Sequence, residues 1–586
     1  MKRDFTILVI ALLVAGGVPV LTSDRYILTV ATSVMIWAYL SSAWNILGGL
    51  AGQLSFGHAI FFGAGAYTSG ALFAQWGWHP LIGGALGIVF ACVLAVAIGY
   101  VSVRYGLVHL HFALVTTAIS QVALFFAMGS DFVGGVNGLS LPFKAGPWQL
   151  FFRDTAIYYW IFLAMTGLVI AFTIFIRNRK LGLYFMCVRE SEIAASGIGI
   201  DVMRQKLLAI VLSAALTAGG GVMFAQFLRF LDPDSIFGWA VSIEIVIPAM
   251  LGGTLATFGP ALGALIYVIL HEVTRASLEF AGAPLVIVGI VLTIVVLFLP
   301  EGIIPSWRMR WRRKGRKTAP QPQPAAAPAP LVMQAVPAPK SGDVILRAEA
   351  VSRRFGGVQA VSDVTFSCRA GERLAIIGPN GAGKSTLFAL LGGFIRPDRG
   401  TITFDGQRID GLTANQICRL GLSRTFQTAQ PFKELTVYQN ILASTYLRAR
   451  TDAEAKAAAT KAMELFQLTP FAAERSADLN IADQKRLELA RAYATRPRLI
   501  LLDEVGAGLT EIELEQLTAT LMRLNVEHGV ALIFIEHVMS MVSALAERVI
   551  VLQDGKVLTE GSAAEVSRNE TVIRAYLGEE MLIAQD

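Results

Sequence analysis

Nine residues constrain this chain more than any others: Gly378-Pro379-Asn380-Gly381-Ala382-Gly383-Lys384-Ser385-Thr386, which spell G-x-x-x-x-G-K-S-T. An apolar run, Leu374–Ile377, precedes them, and a helix-forming run, Leu387–Leu391, follows. Strand, glycine loop and helix are the context a phosphate-binding P-loop requires. The glycines let the backbone curl so that successive N–H groups face one concavity, and the helix start adds unpaired N–H groups and a positive dipole end. Lys384 is placed to reach β- and γ-phosphates and Ser385 to ligate Mg²⁺. A chance glycine-rich turn would not need both flanks, so the stretch reads as a nucleotide site for ATP.

The rest of the chain is too apolar for a soluble ATPase. Hydrophobic residues make up 54% of its 586 residues, charged ones 16%, and mean hydropathy is +0.57. A membrane helix needs about 20 apolar residues. Ten candidate spans fit, near 5–21, 27–47, 57–75, 81–103, 107–128, 157–176, 207–229, 238–256, 260–278 and 283–299. Glycine-rich stretches at Gly48–Gly65 and Gly238–Gly263 suggest broken or re-entrant segments, which are tolerated where they line a protein cavity. The four cysteines, Cys92, Cys187, Cys368 and Cys418, have no CxxC spacing and read as packing residues, not a zinc site or disulfide framework.

Charge sets the expected topology. The interval 177–206 carries Arg177, Arg179, Lys180, Arg189, Arg204 and Lys206, and the exit from the last span carries Arg308, Arg310, Arg312, Arg313, Lys314, Arg316 and Lys317. Both are expected on the cytoplasmic side. Directly after a membrane helix the basic exit reads as contact with the lipid bilayer, not with nucleic acid. From Thr318 to Lys340 the composition turns to Pro, Ala and Gln, an extended linker without a core. The fold is therefore expected to be multidomain: an N-terminal polytopic all-α membrane domain over 1–305, a basic then Pro/Ala-rich linker over 306–342, and a C-terminal α/β P-loop ATPase domain with a helical subdomain over 343–586. Strands are expected near 344–348, 364–368, 373–378, 401–405, 499–502 and 531–535, a helix over 452–467, and a hairpin turning at Asp554-Gly555.

More landmarks follow in order. They are Phe355 before Gly356-Gly357, then Arg424-Thr425-Phe426-Gln427, then Leu501-Leu502-Asp503-Glu504, then His537 after a strand. In the membrane part, Glu192-Ile193-Ala194-Ala195-Ser196-Gly197 lies in the basic interval, and Gly49–Gly57 and Met250–Thr254 are glycine-rich. Together with the tail Val572–Gly578, these resemble the permease and the nucleotide-binding subunit of ABC importers, more narrowly the branched-chain (hydrophobic) amino acid uptake family, fused in one chain. The resemblance implies an ATP hydrolase coupled to transport. It implies that Phe355 stacks on adenine, that Ser385, Gln427 and Asp503 hold Mg²⁺, that Glu504 polarises the attacking water, and that His537 is the switch histidine. It also implies that Glu192, Ala194, Ala195 and Gly197 belong to a coupling loop that docks on the ATPase, and that the glycine-rich stretches line the pore.

One landmark departs from the family. Its signature reads close to L-S-G-G-Q, whereas this chain has Leu479-Asn480-Ile481-Ala482-Asp483. Asn480 still offers hydrogen bonds, Ala482 lacks glycine's freedom, and Asp483 puts an anion where a phosphate is expected. The resemblance implies a second permease, a second ATPase and an external or periplasmic substrate-binding protein, and the altered signature favours a heteromeric assembly over two copies of this chain, which would have two impaired sites. The expected location is the bacterial plasma (inner) membrane, multi-pass, with the ATPase domain cytoplasmic. An exporter half-transporter would carry membrane helices extending far beyond the bilayer, which these short spans disfavour. A non-transporting ATP-dependent membrane regulator would not need an intact acid pair at Asp503-Glu504.

Overall fold

The computed structural model describes residues 2–107, 109–143, 149–277, 283–299, 301–307 and 342–577. The linker expected over 306–342, with its basic run Arg308–Lys317, lies almost wholly outside the described residues, as does Gly578. The described residues fall into two compact units, one within Met1–Arg189 and Val202–Pro320, the other within Glu190–Asp201 and Gln321–Asp586. The short segment Glu190–Asp201, which interrupts the membrane helices in sequence, thus belongs to the ATPase unit.

The membrane unit is helical. It contains α1 (Lys2–Gly16), α2 (Val18–Leu21), α3 (Arg25–Asn45), α4 (Ala59–Trp76), α5 (Pro80–Arg104), α6 (His109–Met128), α7 (Thr155–Arg177) and α8 (Lys180–Glu190). After α9 (Glu192–Gly197) come α10 (Val202–Leu228), α11 (Pro233–Phe237), α12 (Trp239–Gly252), α13 (Gly259–Ser277) and α14 (Ala283–Phe298). Each of the ten expected segments contains a helix, and among the described residues seven helical stretches are long and apolar enough to cross a membrane. Polar caps fix their starts. Asp24 accepts from Tyr26 N–H at 2.7 Å before α3, and Asp154 from Ala156 N–H at 2.9 Å before α7. Small residues let α4 and α10 touch backbone to backbone: a Cβ at Gly221 would stand 2.0 Å from the Phe62 carbonyl oxygen. A two-residue pairing of β1 (Leu139–Ser140) with β2 (Phe230–Leu231) ties the segment after α6 to the end of α10.

The first glycine-rich stretch is a break in the helices. Ile46–Leu50 winds as a π-helical turn, and the chain is then irregular until α4 begins at Ala59. A directional hydrogen-bond chain holds the break. The Ser213 hydroxyl donates to the Ala43 carbonyl at 2.8 Å, so its oxygen accepts from His58 Nε2–H, also at 2.8 Å. His58 Nδ1 then accepts from Ser55 Oγ at 3.0 Å, which itself accepts from Gly57 N–H at 3.4 Å. A neutral, Nε2-protonated imidazole satisfies every member of this fully buried set.

The ATPase unit has two sheets. An antiparallel sheet in the order β4-β3-β6-β7 contains β3 (Val344–Phe355), β4 (Val358–Arg369), β6 (Arg399–Phe404) and β7 (Gln407–Arg408). The second sheet runs β12-β11-β5-β10-β9-β8, with β5 (Arg373–Ile377), β8 (Leu422–Arg424), β9 (Leu499–Asp503), β10 (Ala531–Ile535), β11 (Arg548–Gln553) and β12 (Lys556–Gly561). All its neighbours are parallel except β11 and β12, which turn at Asp554 (φ 49°) and Gly555 (φ 77°). Strands β5, β9 and β10 are buried along their whole length, which is why they read as unbroken apolar runs. Their carboxyl ends carry the P-loop, Asp503-Glu504 and Glu536-His537, the edge where open α/β sheets bind ligands. Around them lie α15 (Lys384–Leu391), α16 (Ala414–Leu420), α17 (Val437–Thr445), α18 (Asp452–Leu465), α19 (Ile481–Ala494) and α20 (Glu511–His528).

Candidate nucleotide site

The P-loop leaves β5 and turns into α15 at Lys384. Gly383, at φ 93°, caps that helix, and a Cβ there would stand 2.1 Å from the Ala360 carbonyl oxygen. A side chain at this position would therefore be strained twice, by its backbone angle and by the β4 strand. Lys384 folds its ammonium over the loop, donating to the Gly378 carbonyl at 2.7 Å and the Pro379 carbonyl at 2.9 Å. Burial pushes its pKa below the usual lysine value, with the nearby Glu504 and Asp503 carboxylates opposing. Phosphate oxygens would offer this buried cation the counter-charge that neutral carbonyls cannot. Phe355 ends β3 with its ring exposed and the Arg353 guanidinium 4.9 Å above it. Its hairpin partner strand meets the P-loop at Ala360.

Glu504 occupies a left-handed backbone conformation, φ 50°, fixed by its N–H donating to the Ile535 carbonyl at 2.9 Å. Its carboxylate is held from both sides. Gln427 Nε2 donates to Oε2 at 2.8 Å, and His537 Nε2 lies 3.1 Å from Oε1. Three residues expected from distant stretches of sequence are thus brought together. Asp503 is nearly buried, and burial pushes its carboxyl above the usual range, against the pull of Arg424. Its Oδ2 accepts from Arg424 Nη2 at 2.9 Å, while its buried Oδ1 has no hydrogen-bond partner. The buried Asp503 oxygen without a partner, the exposed Ser385 hydroxyl and the Gln427 amide oxygen are hard donors of the kind that would suit Mg²⁺ bound with phosphates.

The sequence reading assigned no role to the residues that hold this set in place. Arg424 lies within 6 Å of three rings, Phe388, Phe394 and Phe426, while it pairs with Asp503. From α19, Glu488 accepts from Phe426 N–H at 2.7 Å, and Arg491 donates to the Gln430 carbonyl at 2.6 Å. Burial pushes the Glu488 carboxyl up to about 7. Lys485 reaches the loop after Glu504, donating to the Val505 carbonyl at 2.9 Å and also to that of Ala507. Glu536 accepts from Gly506 N–H at 2.7 Å. The spacing of Lys485, Glu488 and Arg491 on one helix was the only available signal, since each buried charge needs a partner.

The altered signature opens α19. Asn480 is its N-cap and accepts from Asp483 N–H at 2.7 Å. The Asp483 carboxylate faces Arg486 at 3.3 Å, and burial raises its pKa. Arg486 also donates to Gln516 of α20 at 2.5 Å.

The segment Glu190–Asp201 packs onto the loop that follows Gln427. Glu190 accepts two consecutive backbone N–H groups, Lys433 at 3.1 Å on Oε2 and Glu434 at 3.1 Å on Oε1. Ser191 Oγ meets Gln430 Oε1 at 3.2 Å, and the Gly199 carbonyl accepts from Arg419 at 3.3 Å. A Cβ on Gly197 would be 3.4 Å from the Phe426 ring. Of the expected coupling residues, Ala194, Ala195 and Gly197 are buried, and Glu192 opens α9 behind the Ser191 cap.

Residues 26–299 match the family described as branched-chain amino acid transport system / permease component. Residues 361–507 match the ABC transporter family, and 556–581 the branched-chain amino acid ATP-binding cassette transporter family. Over 250 residues the chain is 37% identical to the high-affinity branched-chain amino acid transport ATP-binding protein BraF of Pseudomonas aeruginosa, a match covering 40% of this chain and 98% of that protein. It is 36% identical over 250 residues to the corresponding LivG of Escherichia coli, with the same coverage. A solved nucleotide-free ATP-binding cassette from an ABC transporter is 28% identical, covers 40% of this chain and all of its own, and superposes with a TM-score of 0.37. The chain belongs to the branched-chain amino acid ABC transporter family, with permease and ATP-binding parts fused in one polypeptide. It is a multi-pass membrane protein, and its ATPase domain hydrolyses nucleotide in a transport cycle.

Proposed function

We propose that this chain supplies one permease and one ATPase to an importer of branched-chain or related amino acids. It lies in the bacterial plasma membrane with the ATPase domain cytoplasmic. It works with a second permease and a second ATPase, in a heteromeric complex, and with an external substrate-binding protein. Each ATP lies between the P-loop of one ATPase and the signature of the other. Lys384 and the P-loop N–H groups take the phosphates, and Phe355 takes the adenine face. Ser385, Gln427 and Asp503 would hold Mg²⁺, which supplies counter-charge to the phosphate oxygens. Glu504, oriented by Gln427 and His537, accepts a hydrogen bond from the attacking water and aligns it.

The observation that carries the transport reading is the grip of Glu190 and Ser191 on residues 430–434. A segment lying between two membrane helices in sequence holds the loop that begins at Gln427, and Gln427 touches Glu504. A change at the carboxylate that alters the Gln427 contact thereby reaches Glu190. Replacing 190–199 with a glycine-serine stretch should leave ATP hydrolysis measurable while uptake falls to background. Full-rate uptake would place the docking elsewhere. For direction, a loaded external binding protein should raise the ATPase rate of the assembled complex several-fold, and an unresponsive rate would remove the importer reading.

A further inference from the structure

At the π-turn Ile46–Leu50 the backbone comes close to the second glycine-rich stretch. A Cβ at Gly49 would stand 2.7 Å from the Thr254 carbonyl oxygen, so glycine is what lets the two stretches meet. Each stretch is held by its own arginine. Arg177, the last residue of α7, donates to the Thr257 hydroxyl at 2.9 Å. Arg189, in the last turn of α8, donates to the Gly49 carbonyl at 2.7 Å. A cation that hydrogen-bonds a carbonyl at the end of a helical turn fixes both position and direction. The Arg189 stem is fitted as closely: a Cβ at Gly52, whose φ is 69°, would stand 2.6 Å from its Cγ. Farther back on α8, Phe185 is buried in the same apolar cluster as Ile46, Leu47 and Leu50. Apolar packing is non-directional, so the Arg189 hydrogen bond sets where the end of α8 stands along the break.

The next residue is Glu190, which ends α8 and accepts the Lys433 and Glu434 N–H groups. One peptide bond therefore separates a grip on the loop after Gln427 from a grip on the broken segment of the membrane helices. A movement of residues 430–434 passes to Glu190 and, through the helical turn it shares with Arg189, to Gly49. Arg177 meanwhile keeps Thr257 with α7. We propose that Arg189 is the positioning residue through which the ATPase opens and closes the contact between the two glycine-rich stretches. The inference rests on the transport reading above, and deepens it by naming the side chain that acts on the permease.

The test uses the assembled full-length complex in lipid nanodiscs, carrying Leu255→Cys beside Thr254. Reaction of the new thiol with a maleimide is followed by peptide mapping. In the otherwise wild-type chain, ATP with vanadate should change its labelling rate several-fold. In Arg189→Met that change should disappear while vanadate still traps nucleotide. Gly52→Ala, which displaces the arginine stem, should do the same, and the double variant should be no worse than Arg189→Met alone, as expected when both changes break one contact. Leucine uptake by proteoliposomes should fall at least tenfold in each variant. Loss of the labelling change in a complex whose wild-type form takes up no leucine would support the Arg189 contact and count against the amino acid reading instead. An ATP-dependent change that persists in Arg189→Met, or that is absent from the otherwise wild-type chain, would overturn the inference. Losses that add in the double variant, or vanadate trapping that falls in step with the labelling change, would overturn it too, by showing that the arginine only supports the fold.

Discussion

At the sheet edge of the ATPase unit, Glu504 is clamped by Gln427 and His537, Asp503 keeps one buried oxygen unpaired, and Lys384 lies over a glycine loop. At the start of α19 the arrangement differs. The Asp483 N–H is already satisfied by the Asn480 side chain, Ala482 replaces glycine, and the Asp483 carboxylate occupies the first turn with Arg486 beside it. The first region sets a lysine over a glycine loop beside its carboxylates, whereas the second caps its own N–H and holds a carboxylate in the first turn. Helix starts favour negative charge, but an acid already there competes with a phosphate for it. An otherwise ordinary ATPase with such a signature fits an assembly whose two nucleotide sites are unequal.

The largest expected effect sharpens the first region. Glu504→Gln should keep ATP binding and lower turnover by about 100-fold or more, because the amide cannot accept the proton that a carboxylate accepts. Full ATPase activity in this variant, measured by phosphate release, would remove Glu504 from its role.

A smaller effect is expected in the second region. The triple change Asn480→Ser, Ala482→Gly, Asp483→Gln should raise turnover at the site it closes several-fold to a hundredfold, since one unfavourable charge near phosphate costs about 1–3 kcal/mol. The Arg486 partner places the gain toward the lower end. Site-resolved turnover that is already equal in the unmodified complex would break the comparison, and a fully active assembly of two copies of this chain would break the heteromeric reading.

The contrast between what was and was not legible in the sequence follows the same division. The P-loop, β5 and α15 are contiguous, so residue order alone carried them. Gln427, Glu504 and His537 came through their resemblance to family landmarks, because nothing local tells that three strand ends converge. Arg424, Lys485, Glu488 and Arg491 stayed hidden, as each acts through a partner 20 or more residues away in sequence.

The smallest predicted effect concerns the buried link between α19 and the loop of Gln427. Glu488 titrates at about 7 in the folded protein, above its ordinary value of 4.5. The folded state therefore holds this proton more tightly than the unfolded chain, and the contribution to stability is present at low pH and lost as pH rises through about 7. Glu488→Gln keeps an acceptor for Phe426 N–H but has no proton to lose. Its Tm should change less than the wild-type value between about pH 4.5 and pH 7. An equal slope in both proteins would place the titration elsewhere.

The most direct test of the whole account is uptake by proteoliposomes containing this chain with its second permease and ATPase. With ATP inside and loaded binding protein outside, labelled leucine should accumulate within the vesicles, and Lys384→Ala should abolish that accumulation. Leucine that stays outside despite ATP hydrolysis, or uptake that survives in a stably assembled Lys384→Ala complex, would contradict the account.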